Sequence, residues 1–330
     1  MRYRIARTSS IMCAVAVPRG DALLPDHPMN PATVATAANH RVRLLLPLSL
    51  LALYLIWGST YLAIHFALES WPPFLLEGTR LLAAGLLLFG GLRLRGVALP
   101  TPRQWRNAAI TGVLLLGIGN GLRSVAEKHV GSGVTAVALA SMPLFAALFG
   151  IGFGHKPNRL EAWGLACGFA GVAMLNFGSS LSGSHIAALA LLLGAASWAF
   201  GSVWSKQQDM PSGSMNTAIQ MLCAGSAQYL VGFGCGERLP AHPTLRAGAA
   251  MIYLVLFGSL IGFSAFVYAL KHARPALATS YAYVNPPVAV LLGVLLAGER
   301  MSAFEVIGMT IILLGVAVIA LAHRQESLSG

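Results

Sequence analysis

The chain has 330 residues, of which 56% are hydrophobic and only 10% charged, with 22 Lys+Arg against 11 Asp+Glu and a mean hydropathy of +0.69. Soluble domains carry about 25% charged residues, so this composition excludes a soluble enzyme of this size, and its apolar content excludes a disordered chain. What remains is a membrane protein, built as a helix bundle or as a closed barrel.

Barrel strands alternate apolar and polar positions over about 10 residues. Here the apolar runs are continuous, as in LLLPLSLLALYLIWGSTYLAIHFAL from Leu44 to Leu68. That length suits a helix crossing a hydrocarbon core of about 30 Å. Residues 1–43 come first and are assigned no fold. They are basic with one short apolar run, and read as a solvated tail, a weak targeting segment, or the product of a start upstream of the alternative Met29. Ten spans follow: Leu44–Ala67, Phe74–Leu92, Asn107–Ala126, Gly133–Phe153, Leu160–Phe177, Ile186–Ser205, Asn216–Phe233, Ala247–Leu270, Ala276–Ala297 and Ala303–Ala322. A short tail, 323–330, closes the chain.

An even number of spans puts both termini on one side. If that side is the cytoplasm, inner segments hold sixteen of the 22 Lys+Arg, outer segments hold five (Arg123, Lys128, Arg238, Arg246 and Arg300), and Arg80 lies within the second span. Cytoplasmic loops carry the excess of Lys and Arg, so both termini are placed inside. The basic balance then reflects topology and contact with anionic lipid; no basic run interleaved with aromatics points to nucleic acid. The four cysteines show neither disulfide nor zinc spacing. No metal and no cofactor is expected.

The second half echoes the first at an offset of 143 residues. Gly58-Ser59 answers to Gly201-Ser202, Gly119 to Gly262, Lys128-His129 to Lys271-His272, and Pro143, Ala146, Leu148 and Gly150 to Pro286, Ala289, Leu291 and Gly293. With one inserted residue, Glu161 and Gly164 answer to Glu305 and Gly308. Each unit holds five spans, so successive units lie in opposite orientations. Inverted repeats of this kind place a binding site at the midplane and support alternating access. The units are assigned to residues 44–178 and 179–322.

These segments resemble the EamA domains of the drug/metabolite transporter superfamily. The resemblance rests on LIWGSTYLAI, the Arg80 region, GNGLRSVAEKHVGSGVTAVALASMPLF, SWAFGSVWSKQ and LKHARPALATSYAYVNPPVAVLLGVLLAGERMSAFEVIGMTIILLGVAV. It implies an all-α fold of ten membrane helices in two inverted EamA repeats, and export of metabolites, amino acids or toxic compounds across the bacterial inner membrane. Two positions depart from the family pattern: Glu77 stands where a small or apolar residue is usual, and Arg123 where an apolar one is usual.

Candidate site residues follow from the cost of polarity in lipid. Glu77 and Arg80 read as the only carboxylate and the only strong base well inside a span, where a charge costs about 3 kcal/mol or more. Their i,i+3 spacing places them on one face. One reading makes them a folding pair. The other sets the Arg80 fork against an anionic substrate group, with Glu77 as its partner in the empty state and as a possible proton-coupling site. Trp57 and Asn120 share their depth and would complete an outward vestibule.

Trp57, Trp198, Tyr281 and Tyr283 can wall an aromatic cavity, or simply pack in the core. Ser59, Thr60, Ser202 and Gln220 can bond substrate or their own helices, and Gln220 matches Glu77 at the repeat offset. Pro143 and the Pro286-Pro287 pair free carbonyls in mid-span, as kinks lining the cavity beside Asn285 or as packing kinks. The glycine patterns Gly117-Ile118-Gly119-Asn120-Gly121, Gly164-x3-Gly168 and Gly258-x3-Gly262 predict close helix approach; GxGxG here follows an apolar helix and is no nucleotide loop.

The function expected is therefore secondary transport, with export of a small organic metabolite, amino acid or drug-like compound. The alternatives are an exchanger of phosphorylated or nucleotide-linked metabolites and a non-transporting membrane subunit. No enzyme constellation is found. The partners expected are the small-molecule substrate and the bilayer, with a proton as coupling ion and a homodimer both left open.

Overall fold

The computed structural model describes residues 44–154, 159–176, 184–272 and 280–329. The N-terminal tail, the alternative start at Met29, the boundary between repeats and the side chain of Tyr283 lie outside that description. Ten helices form among the described residues: α1 Leu44–Ala67, α2 Pro73–Leu94, α3 Pro102–Glu127, α4 Ser132–Gly152, α5 Arg159–Asn176, α6 His185–Ser205, α7 Gly213–Gly234, α8 Leu245–Ala269, α9 Tyr281–Ala297 and α10 Ala303–Ser329. These are the ten expected spans. The last runs on as helix through what the sequence assigns to a C-terminal tail.

Six helices (α1, α2, α3, α4, α6 and α8) are long and apolar enough by themselves to cross a membrane. The others are shorter or more polar. The pairs α5–α10 and α2–α7 are the most extensively packed in the molecule, so α5 turns one face to α10 and α7 one face to α2.

Local chemistry sets the helix starts. Thr101 and Gln104 form a reciprocal capping box at α3, and Thr244 accepts from the Ala247 amide at α8. Thr101 and Thr244 are repeat images, 143 residues apart. Ser302 and Glu305 exchange bonds of 2.7 and 3.2 Å at the start of α10. Each cap satisfies amides that the first turn leaves open.

Three helices carry a widened turn. α1 carries a π-helical segment at Leu53–Trp57, α3 one at Val113–Gly119, and α8 one at Leu254–Ile261. The α3 and α8 segments occupy equivalent places in the two repeats. α4 breaks at Ala140–Ser141, just before Pro143, where the Ser141 hydroxyl donates to Ala138 O at 2.6 Å. α9 continues through Pro286 and Pro287. Pro286 is buried and Pro287 exposed, so only the first turns inward.

Packing repeats the sequence symmetry. Helices α2 and α7, α4 and α9, and α5 and α10 pair across the repeats. Other cross-repeat contacts come as images: α1–α9 with α6–α4, α1–α8 with α6–α3, and α2–α8 with α7–α3. Small residues permit the closest approaches. A Cβ on Gly315 of α10 would lie 2.6 Å from the Gly168 amide of α5, and one on Gly225 of α7 would lie 2.8 Å from the Leu82 amide of α2. Between α2, α3, α7 and α8, Leu81, Ala84, Leu116, Met221, Ala224 and Phe263 form a dry core at mid-bundle.

Candidate functional site

The site starts from two glycines. Gly119 and Gly262 are repeat images at the ends of the α3 and α8 π segments, and each receives an indole from the opposite repeat. Trp198 of α6 lies over Gly119, where a Cβ would come within 3.1 Å of its ring. Trp57 of α1 lies over Gly262 and donates its Nε1–H to Gly258 O at 3.1 Å. Around Trp57 stand Phe263, Phe266 and Tyr281, with ring centroids 5.1, 5.3 and 5.0 Å away. The aromatic group therefore forms around Trp57 and Tyr281, while Trp198 sits on α3 in the other half.

Gly258 also meets polar groups. A Cβ there would fall 3.0 Å from Thr60 Cγ2 and 3.4 Å from Arg80 Nη2. Thr60 is buried and bonds back to Trp57 O at 2.7 Å. Arg80, 3% exposed, donates its Nε–H to Ser259 Oγ at 2.9 Å.

The other face of Arg80 leads to the principal polar feature of the bundle. Glu77, fully buried, accepts from Arg123 Nη2 and from Ser124 Oγ, both at 2.9 Å on Oε1. Its Oε2 faces Arg80 Nη1 at 3.5 Å. Arg123 lies 5.7 Å from the centroid of the Tyr61 ring of α1. Glu127, 3% exposed, completes the layer one turn further along α3. Glu77 and Arg80 are thus not alone within the spans: Arg123, assigned by the sequence to an outer segment, is 8% exposed and buried in α3. The last turn of α3 reads as a solvated loop in sequence because charges gather there, yet α2, α6 and α1 close over it.

Asn120 is buried one turn before Ser124 on α3. Glu77 and Arg80 are equally buried, so the three polar side chains are closed off from solvent in this conformation. Ser59 points elsewhere, to Tyr253 Oη at 2.6 Å. It lines a groove of about 360 Å³ between α1 and α8, with Leu62, Phe66, Arg246 and Tyr253. Ser202 bonds back to Trp198 O on its own helix. Gln220 bonds Asn216 of its own helix at 3.1 Å, against Gly112 of α3. Asn285, 5% exposed on α9, has an Oδ1 without a hydrogen-bond partner; its backbone carbonyl faces Gly58 of α1.

Sequence reasoning missed Ser259, Ser124, Glu127 and Tyr61 in this layer. It also missed two carboxylates that clasp helix ends. Glu299, swung out after α9 by Gly298 at φ +66°, accepts from the Ser132 amide and hydroxyl at 2.8 Å and from the Gly133 amide at 3.0 Å. Glu237 accepts from the Phe74 and Leu75 amides at the start of α2. Both join one repeat to the other. One signal for the layer was available: the two departures from the family pattern, Glu77 and Arg123, are partners of each other. Among the described residues no group of His, Cys, Asp and Glu is arranged to hold a metal ion.

A helical bundle of two interlocked five-helix repeats, sealed on one side by a buried charge layer, is the architecture of a polytopic membrane carrier. The chain belongs to the EamA-like transporter family, whose domain matches twice, at residues 45–177 and 185–321. It is 49% identical to the inner membrane transporter YedA of Escherichia coli (strain K12), over 85% of this chain and 93% of that protein. It is 26% identical to the transporter YoaV of Bacillus subtilis (strain 168), over 82% of this chain and 94% of YoaV. Protein PecM of Dickeya dadantii is 25% identical, over 80% and 88% of the two chains. A solved protein crystal structure superposes with a TM-score of 0.60 at 21% identity, covering 84% of this chain and 98% of that one; it shares the fold.

Proposed function

We propose that this transporter exports a small organic solute by alternating access, and that it sits in the bacterial inner membrane with both termini in the cytoplasm. The observation that carries the reading is the exchange of equivalent contacts between repeats, in which each indole of one half rests on the terminal π-segment glycine of the other. Two interlocked halves with the same internal contacts can trade conformations, and that trade opens the bundle to one side and then to the other. The outer half is shut by the Glu77–Arg80–Arg123 layer and by the Glu299 and Glu237 clasps, so the conformation described belongs to the outward-closed part of the cycle. The aromatic group around Trp57 and Tyr281 offers faces for the apolar part of a solute. The Lys and Arg distribution supports the orientation, and YedA, by its name an inner membrane transporter, supports the location.

The test uses purified full-length protein in liposomes. Amino acids, organic cations and organic anions are screened for thermal stabilisation, and stabilising solutes are then assayed for flux from the cytoplasmic-face compartment. Flux in that direction, lost on Trp57→Ala in a variant that keeps its unfolding temperature, supports the reading. Absence of flux for every stabilising solute would remove it.

A further inference from the structure

We propose that Glu127 is a proton-binding site of the carrier, loaded from outside water as the outer layer closes and emptied to it when that layer opens. This rests on the transport reading above and names an ion that the same bundle handles.

Three carboxylates of one region differ in their partners. Glu77 has Ser124 Oγ and Arg123 Nη2 at 2.9 Å, with Arg80 at 3.5 Å. Glu299 has two amides and a hydroxyl within 3.0 Å. Glu127 is as deeply buried, at 3% exposure, yet neither of its oxygens has a hydrogen-bond partner. An ionised carboxylate stripped of water and given no donor is among the costliest groups to bury. The two donor-rich acids have N–H and O–H partners for their oxygens, whereas Glu127 has none and meets that cost by binding a proton.

No neighbouring charge removes the cost. From α2, Glu77 and Arg80 face the site; from α1, Tyr61; from the α9–α10 connection, Glu299. Arg123, one turn back on the same helix, gives its Nη2–H to Glu77 at 2.9 Å and leaves its Nε without a partner, so it attracts Glu127 through space without bonding it, and Glu299 adds a like charge. Lys128 and His129, which follow on the chain, are exposed, as is His185 on the packed helix α6.

The step is a plain proton transfer. On closure an O–H bond forms on Glu127 with a proton from outside water. On opening that bond breaks, the proton returns to water, and the carboxylate is rehydrated. One proton exchanged between two conformations shifts their equilibrium up to tenfold per pH unit, toward the open form as pH rises.

The test uses the full chain in phosphatidylethanolamine–phosphatidylglycerol liposomes, without any solute. Infrared spectra at pH 7 are expected to show a protonated carboxylic acid band that Glu127→Gln lacks and Glu127→Asp moves in frequency; the Asp variant serves where the Gln variant does not fold. Maleimide labelling of Val130→Cys, a buried outer position, is expected to speed up by as much as tenfold per pH unit and to lose that dependence on Glu127→Gln. Acid bands of equal position and intensity in the wild type and a folded variant would overturn the proposal, as would labelling that ignores pH in the wild type. Loss of the band with solute flux intact removes the proton site alone. Absence of flux with the band present removes the transport reading alone.

Discussion

Replacing Glu77 by alanine puts the charge layer to its most direct test. The carboxylate is fully buried between two guanidiniums and one hydroxyl. Without it, Arg123 and Arg80 are left beside each other with only the unbonded Glu127 as a nearby acid. Arg80 keeps Ser259, but the Arg123 Nε is already without a partner. Breaking a buried pair from one side costs about 3–5 kcal/mol. The 2.9 Å contact to Arg123 should account for more of this than the 3.5 Å contact to Arg80. Glu77→Gln keeps an oxygen for Ser124 and Arg123 but loses the charge. Hydrogen bonds to charged groups contribute about 1.5–3 kcal/mol and neutral ones about 0.5–1.5, so this variant should recover roughly half the loss. The pair Glu77→Met with Arg123→Met removes both ends together and should be at least about 2 kcal/mol more stable than the sum of the single changes. Equilibrium unfolding in detergent micelles, followed by circular dichroism, reads all five. A Glu77→Ala protein within about 0.5 kcal/mol of the wild type, or strict additivity of the two methionine changes, would refute the layer as a coupled unit.

Two further outcomes follow from the packing and the clasps. Gly315→Leu should lower the unfolding midpoint, by about 3 kcal/mol in stability, because even its Cβ would meet the Gly168 amide at 2.6 Å; Gly90→Leu, with nothing within 4 Å of its Cβ, should leave the midpoint unchanged. Glu299→Gln should cost about 1–2 kcal/mol by removing an anion from a helix N-terminus. Amide exchange at Ser132 and Gly133, read by mass spectrometry, should accelerate while exchange at Phe74 and Leu75, held by Glu237, does not.

Much of the architecture was legible because lipid constrains a chain severely. Apolar length located all ten spans, and the offset of 143 residues then grouped them into two units of five. Gly164 and Gly168 announced the close approach of α5 to α10. The site was legible only where a charge stood in mid-span, as Glu77 and Arg80 do. Arg123 and Glu127 escaped because position along a helix says nothing about which neighbours fold over its end. Ser59, Ser202 and Gln220 carry hydroxyls or amides in plausible places, yet Ser202 and Gln220 bond within their own helices and Ser59 bonds Ile56 of its own helix as well as Tyr253. Sequence spacing does not reveal that choice. The π segments left no trace either, since no proline or insertion marks them.

Those widened turns bear on how the halves are joined. A π turn displaces carbonyls from their usual amides, and in a medium without water each must find another donor. Leu114 O takes the Ser197 hydroxyl at 2.8 Å, Gly117 O takes the Gln228 amide, and Gly258 O takes the Trp57 indole. In every case the acceptor is main chain on one repeat and the donor a side chain on the other. The rivets of the assembly are thus half-written in backbone. Side chains along Val113–Gly119 and Leu254–Ile261 can be exchanged for others of similar size without removing these backbone acceptors, which leaves those stretches free to diversify while the joint between the repeats stays in place.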